Sequence, residues 1–221
     1  MKTKPIEYTD LSFQVYSRIK EMILNGDLKP GDKIPQEKIA VSLGVSRMPL
    51  HKAFQMLEDE FLVESIPRRG IFVKKPDLVE ILEAFECREG LEGIAARRAA
   101  RVMTEKEIDE LESLFKPFSK LDEIIESEYQ KADQRFHETI INSSGNNVLK
   151  RLNSIGNVLI RTYPKGIILP YHESMSDHFK IIRAFRERSP GKAESFVREH
   201  SRKARNIIEK QINKTENISN E

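Results

Sequence analysis

A single cysteine, Cys87, stands among 221 residues, and there is no tryptophan. One thiol cannot close an internal disulfide or build a thiolate-only zinc site, so Cys87 is expected to be a packing residue. Long apolar runs are missing too. No stretch nears the ~20 residues that a bilayer-spanning helix needs, and the opening MKTKPIEYTD does not resemble a secretion signal. A cytoplasmic protein without a membrane partner is expected. Charge of one sign is also scarce, since 37 Lys/Arg against 35 Asp/Glu leave a formal +2. No bulk cationic field advertises a polyanionic partner. The small excess is local, with 12 basic against 10 acidic residues over 1–74 and 25 against 25 over 75–221.

What is present is helix periodicity. Leu11, Val15, Ile19, Met22 and Ile23 recur at helical spacing before NGDLKPGD breaks the pattern. A short helix over QEKIAVSLG and a longer one over VSRMPLHKAFQMLEDE follow, with Gly44 in the turn between them. FLVESI and GIFVKK, separated by PRRG, read as a β-hairpin. After the linker KKPDL the strand signal ends. TEKE at Thr104–Glu107 fits a capping box, while NSSGNN and RTYPKGIILPYHES break the helical pattern. The expected fold is mainly α: a winged helix-turn-helix of three helices plus a hairpin over 1–75, an all-helical bundle over 76–213, and a frayed polar tail over 214–221.

On a helical wheel, SRMPLHKAFQML divides into two faces. Leu50, Ala53, Phe54 and Leu57 form the packing arc. Met48, His51, Lys52 and Gln55 form the other, with Arg47 beside them at the helix start. Arg47 suits a guanine edge or a phosphate, and Ser46 suits an N-cap whose neighbouring amides can meet a phosphate. Arg68, Arg69 and Gly70 occupy the hairpin tip. A generic three-helix unit with ordinary surface cations fits the same spacing. The segment LKPGDKIPQEKIAVSLGVSRMPLHKAFQMLEDEFLVESIPRRGIFV, however, resembles the winged helix-turn-helix of GntR-family bacterial transcription regulators, most specifically in LGVSRMPL and RRGIFV. Double-stranded operator DNA is the partner this implies. The chain departs from the family pattern at Met48, His51 and Phe61, where Thr, Arg and Gly are usual. The operator consensus is expected to differ, and Phe61 is expected to deny its helix the glycine C-cap.

In EYQKADQRFHETII, Asp133 and His137 sit one helical turn apart among Tyr129, Phe136, Ile140 and Ile141. An unpartnered carboxylate on that face costs several kcal/mol, about what any buried lone charge costs. His178, among Met175, Ile181, Ile182 and Phe185, and His200, among Ala193, Phe196, Val197, Ala204 and Ile207, also point inward, unlike His51 and His172. One Asp and three His suit zinc, nickel or manganese; a metal-free hydrogen-bond network is the alternative. DQRFHETIINSSGN, DHFKIIRAF and REHSRKA look like the metal-binding FadR C-terminal domain (FCD) of the FadR subfamily. The resemblance assigns Asp133, His137, His178 and His200 as ligands of a divalent metal, zinc foremost, beside a small organic acid.

Arg88 also faces inward and matches that family's Arg-x-x-Leu-Glu pattern. It is either a carboxylate anchor for an effector or half of an intrahelical pair with Glu92. The reading that follows is a homodimeric regulator, a repressor by the family resemblance, whose operator affinity responds to a metal-assisted carboxylate. A metal sensor without an organic effector is one alternative. A metallo-enzyme is another, but Ile141 replaces the second zincin histidine, Glu138 faces outward, and no nucleophile elbow is present. The chain is therefore read as not an enzyme. RTYPKGIILPYHES is expected to shape the pocket.

Overall fold

The computed structural model describes residues 11–118, 124–163 and 168–219. They fall into two compact units divided between Pro76 and Asp77. In the first, α1 (Leu11–Leu24), α2 (Gln36–Leu43) and α3 (Arg47–Asp59) precede β1 (Val63–Ile66) and β2 (Gly70–Val73). Most of the apolar stripes foreseen on the helices become its core: Val15, Ile19, Ile23, Leu50, Ala53, Phe54 and Leu57 are buried, while Leu11 at the start of α1 is exposed and Met22 half-buried. Gly44 takes φ +64 as the left-handed cap of α2, a conformation that costs an L side chain about 1–2 kcal/mol. The hairpin pairs Val63 with Val73 and Ile66 with Gly70. Lys33 bridges to Phe72 as a further short pairing, which the β-poor run GDKIP does not announce.

Phe61 behaves otherwise than its size implies. It adopts φ +60, the conformation a glycine would take. Its N–H donates to the Glu58 carbonyl (3.0 Å) and that of Leu62 to the Leu57 carbonyl (2.9 Å). Together these bonds close α3 as a Schellman motif. The cap is kept, with a phenylalanine in the strained position.

The second unit is helical among its described residues: α4 (Leu78–Val102), α5 (Glu105–Ser113), a 3-10 turn at Lys116–Phe118, α6 (Glu126–Ser143), α7 (Asn147–Thr162), α8 (Tyr171–Arg186) and α9 (Pro190–Ser219). Both halves of the Thr104–Glu107 capping box form, and Asp77 with Glu80 makes a second box at the start of α4. α4 packs along α9 and also against α6, α7 and α8. Its small residues Ala95, Ala96, Ala99 and Ala100 are fully buried, which lets partner helices approach closely. Phe115, Tyr129, Phe136 and Phe185 fill the space between.

The stretch beginning at 214, expected to fray, continues α9 as far as Ser219. NKTENIS is polar but holds no proline or glycine, so nothing in it forces a stop. Of the loop expected to shape a pocket, residues 164–167 lie outside the described residues. Cys87 is exposed rather than packed, since it sits on the outer side of α4, one residue from the inward-facing Arg88.

Candidate metal centre and nucleic-acid interface

The exposed face of α3 carries Arg47, Met48, His51, Lys52 and Gln55, with Ser46 exposed just before it. Ser46 holds the extended N-cap backbone (φ −76, ψ 172) but makes no side-chain capping bond; its position is that of a cap and its hydroxyl is not used as one. Arg47 Nη2 lies 3.8 Å from Glu37 Oε1, with both side chains over 90% exposed. A pair that open to water restrains the guanidinium little. Met48 is 83% exposed, a large apolar side chain held out on a polar face.

At the hairpin tip Arg68 takes φ +64 and Gly70 φ +106, and the Arg69 guanidinium lies 5.5 Å from the Phe72 ring centre. A Cβ on Gly70 would meet Lys33 Cε at 3.3 Å. Lys33 is thus a cation against Gly70 of the hairpin that sequence spacing missed. It reaches the hairpin only through the Lys33–Phe72 pairing, for which a short polar loop gives no periodic signal.

In the helical unit, α6 supplies Asp133 and His137, α8 supplies His178 and α9 supplies His200. One ligand-capable atom from each lies within 4.8 Å of all the others. His178 Nε2 is 3.4 Å from Asp133 Oδ1, and His137 Nε2 is 3.9 Å from the same oxygen. His137 and His178 are sealed at 2% and 0% exposure, and Asp133, placed by the sequence at the middle of an apolar face, retains 19%. Phe115 stacks on the His178 ring at 4.4 Å, and Phe136 lies 4.3 Å from it.

Several nitrogens of these rings lack a hydrogen bond. Among the described residues, seven buried side-chain polar atoms have no hydrogen bond, and four are His137 Nε2, His178 Nδ1, His178 Nε2 and His200 Nδ1. Leaving one such atom unsatisfied costs about 1–3 kcal/mol. His200 Nδ1 faces Asp177; the orphaned nitrogens of His137 and His178, side by side, suit an occupant between them. Burial, reinforced by His200, His137 and Arg88, pushes His178 well below the usual histidine range. Burial also lowers His200, against the opposing pull of Asp177. Neutral imidazoles are the form that ligates a cation. Three imidazoles and a carboxylate fit zinc, nickel or manganese, so the cluster is compatible with a divalent metal.

Two further carboxylates stand behind the rings. Glu92 is 1% exposed. Its Oε2 is 2.8 Å from His137 Nδ1 and its Oε1 accepts from Arg88 Nε at 2.9 Å. Burial would raise its carboxyl, but the charges and hydrogen bonds of Arg88 and His137 outweigh burial and lower it to about 2. Asp177 Oδ2 lies 3.6 Å from His200 Nδ1, and both its oxygens accept from Lys203 Nζ at 2.8 Å. Burial opposes its ionisation; hydrogen bonds with His200, Lys203 and Lys180 prevail and hold it far below the carboxylate range. Such carboxylates orient ligating histidines in metal sites generally. Ser174 Oγ reaches Asp133 Oδ1 at 3.4 Å.

The sequence showed Glu92 only as a neighbour of Arg88, and it missed Asp177. Both lie one turn or one residue from residues already singled out, yet their partners are distant in sequence. Arg88, left open between an anchor and an ion-pair role, makes the pair through Nε, and that bond does not use its terminal nitrogens. His172 is 81% exposed, outside the cluster as expected, and Glu138 bonds Gln134 (2.6 Å) on the outer side of α6.

The fold is a winged-helix unit followed by an all-helical unit among the described residues, and comparison with known proteins places it. Residues 11–73 match the family of bacterial regulatory proteins named gntR, and residues 83–203 match the FCD domain. The chain belongs to the GntR family and carries an FCD domain: it is a DNA-binding transcriptional regulator. The HTH-type transcriptional regulator YdhC of Bacillus subtilis is 29% identical over 204 residues, spanning 90% of this chain and 80% of that protein. The HTH-type transcriptional repressor RspR of Escherichia coli is 30% identical over 99 residues, 45% of this chain and 43% of that one. In fold, E. coli McbR/YncC superposes with a TM-score of 0.70 at 21% identity, covering 91% of this chain and 98% of that one. A GntR regulator from Rhodococcus sp. RHA1 gives 0.69 at 21% identity, covering 90% and 98%. YdhC, RspR and the Rhodococcus protein are named as transcriptional regulators or repressors.

Proposed function

We propose that this regulator's operator affinity is set by a small organic acid bound at a divalent metal in the helical unit. Asp133, His137, His178 and His200 hold the metal, and Arg88 provides the cation for the acid's carboxylate. The reading divides the chain into a DNA unit over 1–75 and an effector unit over 76–213, acting as a homodimer on a two-fold operator. Ser46, Arg47, Met48, His51, Lys52, Gln55, Arg68, Arg69 and Gly70 form the DNA surface. The metal, when bound, supplies a Lewis-acidic centre with room for an oxygen ligand from outside the protein. The single observation that carries the reading is that one ligand-capable atom from each of Asp133, His137, His178 and His200 lies within 4.8 Å of the others, with buried nitrogens of His137 and His178 left without hydrogen bonds.

An acid shifts DNA affinity only if it binds two states of the protein unequally. The test is DNA affinity titrated with zinc alone and then with zinc plus a panel of small carboxylic acids, beside metal analysis of wild type and His178→Ala. About one metal per chain, lost in the variant, with an acid-dependent change in affinity, is the expected result. A response to zinc alone would make the protein a metal sensor. A reconstituted wild type that holds no metal would reduce the cluster to a core network.

A further inference from the structure

The link from Arg88 through Glu92 to His137 carries an inference that rests on the metal reading and goes beyond it. Glu92 divides its two oxygens between a cation and a ring nitrogen, at 2.9 Å and 2.8 Å. An ionised carboxylate only accepts hydrogen bonds. Facing one, His137 Nδ1 must carry a proton, so in the neutral ring that a metal requires, Nε2 holds the lone pair. Nε2 is the atom that faces Asp133 Oδ1 at 3.9 Å and has no partner of its own.

We propose that Glu92 is a positioning residue that fixes the metal-competent tautomer of His137, and that Arg88 governs how it does so. The dependence on Arg88 follows from the hydrogen-bond inventory. Arg88 Nε–H can only donate, so it requires an oxygen opposite it. A glutamine at 92 has one oxygen and one NH2. With Arg88 present, the amide oxygen must face the guanidinium and the NH2 must face His137 Nδ1. That ring then accepts at Nδ1 and carries its proton on Nε2, where it blocks a metal. A ligand carboxylate that engages Arg88 acts on the same Glu92, so acid and metal are coupled through one side chain. Coupling of this kind is reciprocal, with each ligand changing the affinity of the other by the same factor.

The test uses Glu92→Gln, close to isosteric, and Glu92→Gln combined with Arg88→Met. Imidazole 15N shifts of the metal-free full chain report the His137 tautomer, and competition with a chromophoric chelator reports zinc affinity. In Glu92→Gln we expect the His137 proton to move to Nε2 and zinc affinity to fall by about 10–100-fold, the range seen when such supporting partners are lost. In the double variant no cation claims the amide oxygen. It turns to His137, the Nδ1–H tautomer returns, and most of the zinc affinity returns with it. A purely structural Glu92 would lose affinity in both variants without a tautomer change, and that result overturns the proposal. Wild-type affinity in Glu92→Gln also overturns it while leaving the metal reading intact. A wild type that binds no zinc sinks both, and the comparison of the three proteins separates these cases.

Discussion

At the scale of single residues, placing neutral histidines in a sealed pocket has a consequence for pH. The folded values of His178 and His200 lie below the ordinary 6.5. As pH falls below about 6.5 the unfolded chain takes up protons that the folded chain refuses, so stability drops. Glu92, ionised down to about 2 against an ordinary 4.5, contributes stability above 4.5 that is lost only as pH falls from there toward 2. It is silent between pH 7 and 5. The metal-stripped protein should therefore lose ~1–3 kcal/mol between pH 7 and 5, readable as a fall in Tm, and a flat profile would mean the rings are not buried neutral. Phe61 gives the opposite kind of expectation. Relieving its left-handed strain with Phe61→Gly should stabilise the DNA unit by about 0.5–1 kcal/mol, after the extra freedom of glycine in the unfolded chain is counted. Denaturant unfolding would register this as a higher midpoint at unchanged slope.

At the scale of elements, the seam between α4 and α9 places two glycines in contrasting settings. A Cβ on Gly90 meets nothing within 4 Å, whereas one on Gly93 would lie 2.7 Å from Arg198 Cγ and 2.8 Å from its Nε. Arg198 lies across Gly93 to donate to the Glu89 carbonyl (3.3 Å) and to Glu194 Oε1 (2.9 Å). Gly90→Ala should stabilise the helical unit by roughly 0.5–1 kcal/mol through helix propensity alone. Gly93→Ala should forfeit that gain and cost more, because Arg198 must leave its bonds. Equal effects of the two substitutions in thermal unfolding would contradict the packing described.

Helix faces were the most legible feature of the sequence. The buried side of α3 and the inward histidines of α6, α8 and α9 fall out of a 3.6-residue period. What stayed hidden was long-range hydrogen bonding. Glu92 looks satisfied by Arg88 four residues away, and nothing periodic signals that its other oxygen meets a ring 45 positions later. The extent of α9 was hidden for a different reason: polar composition suggested fraying where only proline or glycine would have forced an end. A phenylalanine at φ +60 is likewise invisible to propensity, since the flanking bonds impose it.

At the scale of the whole molecule, the metal reading joins occupancy of one site to the folding of the helical unit. A ligand that binds only the folded chain stabilises it by about 2.7 kcal/mol at a hundred times its Kd. Zinc should raise the Tm of the wild type by several degrees, a chelator should reverse the rise, and His178→Ala should not respond. A Tm indifferent to zinc in the wild type would argue for a metal-free core.

The unequal exposure of the four clustered side chains bears on kinetics rather than affinity. The imidazoles of His137 and His178 are closed to water while Asp133 keeps an open edge at 19%. Of these three, Asp133 is the ligand that solvent reaches, so on the metal reading it is the one an arriving ion would meet first. An ion held behind closed rings would exchange slowly and outlast many encounters with weaker ligands. On that footing the metal would be a lasting part of the protein's architecture, and the proposed acid would be what comes and goes as the message.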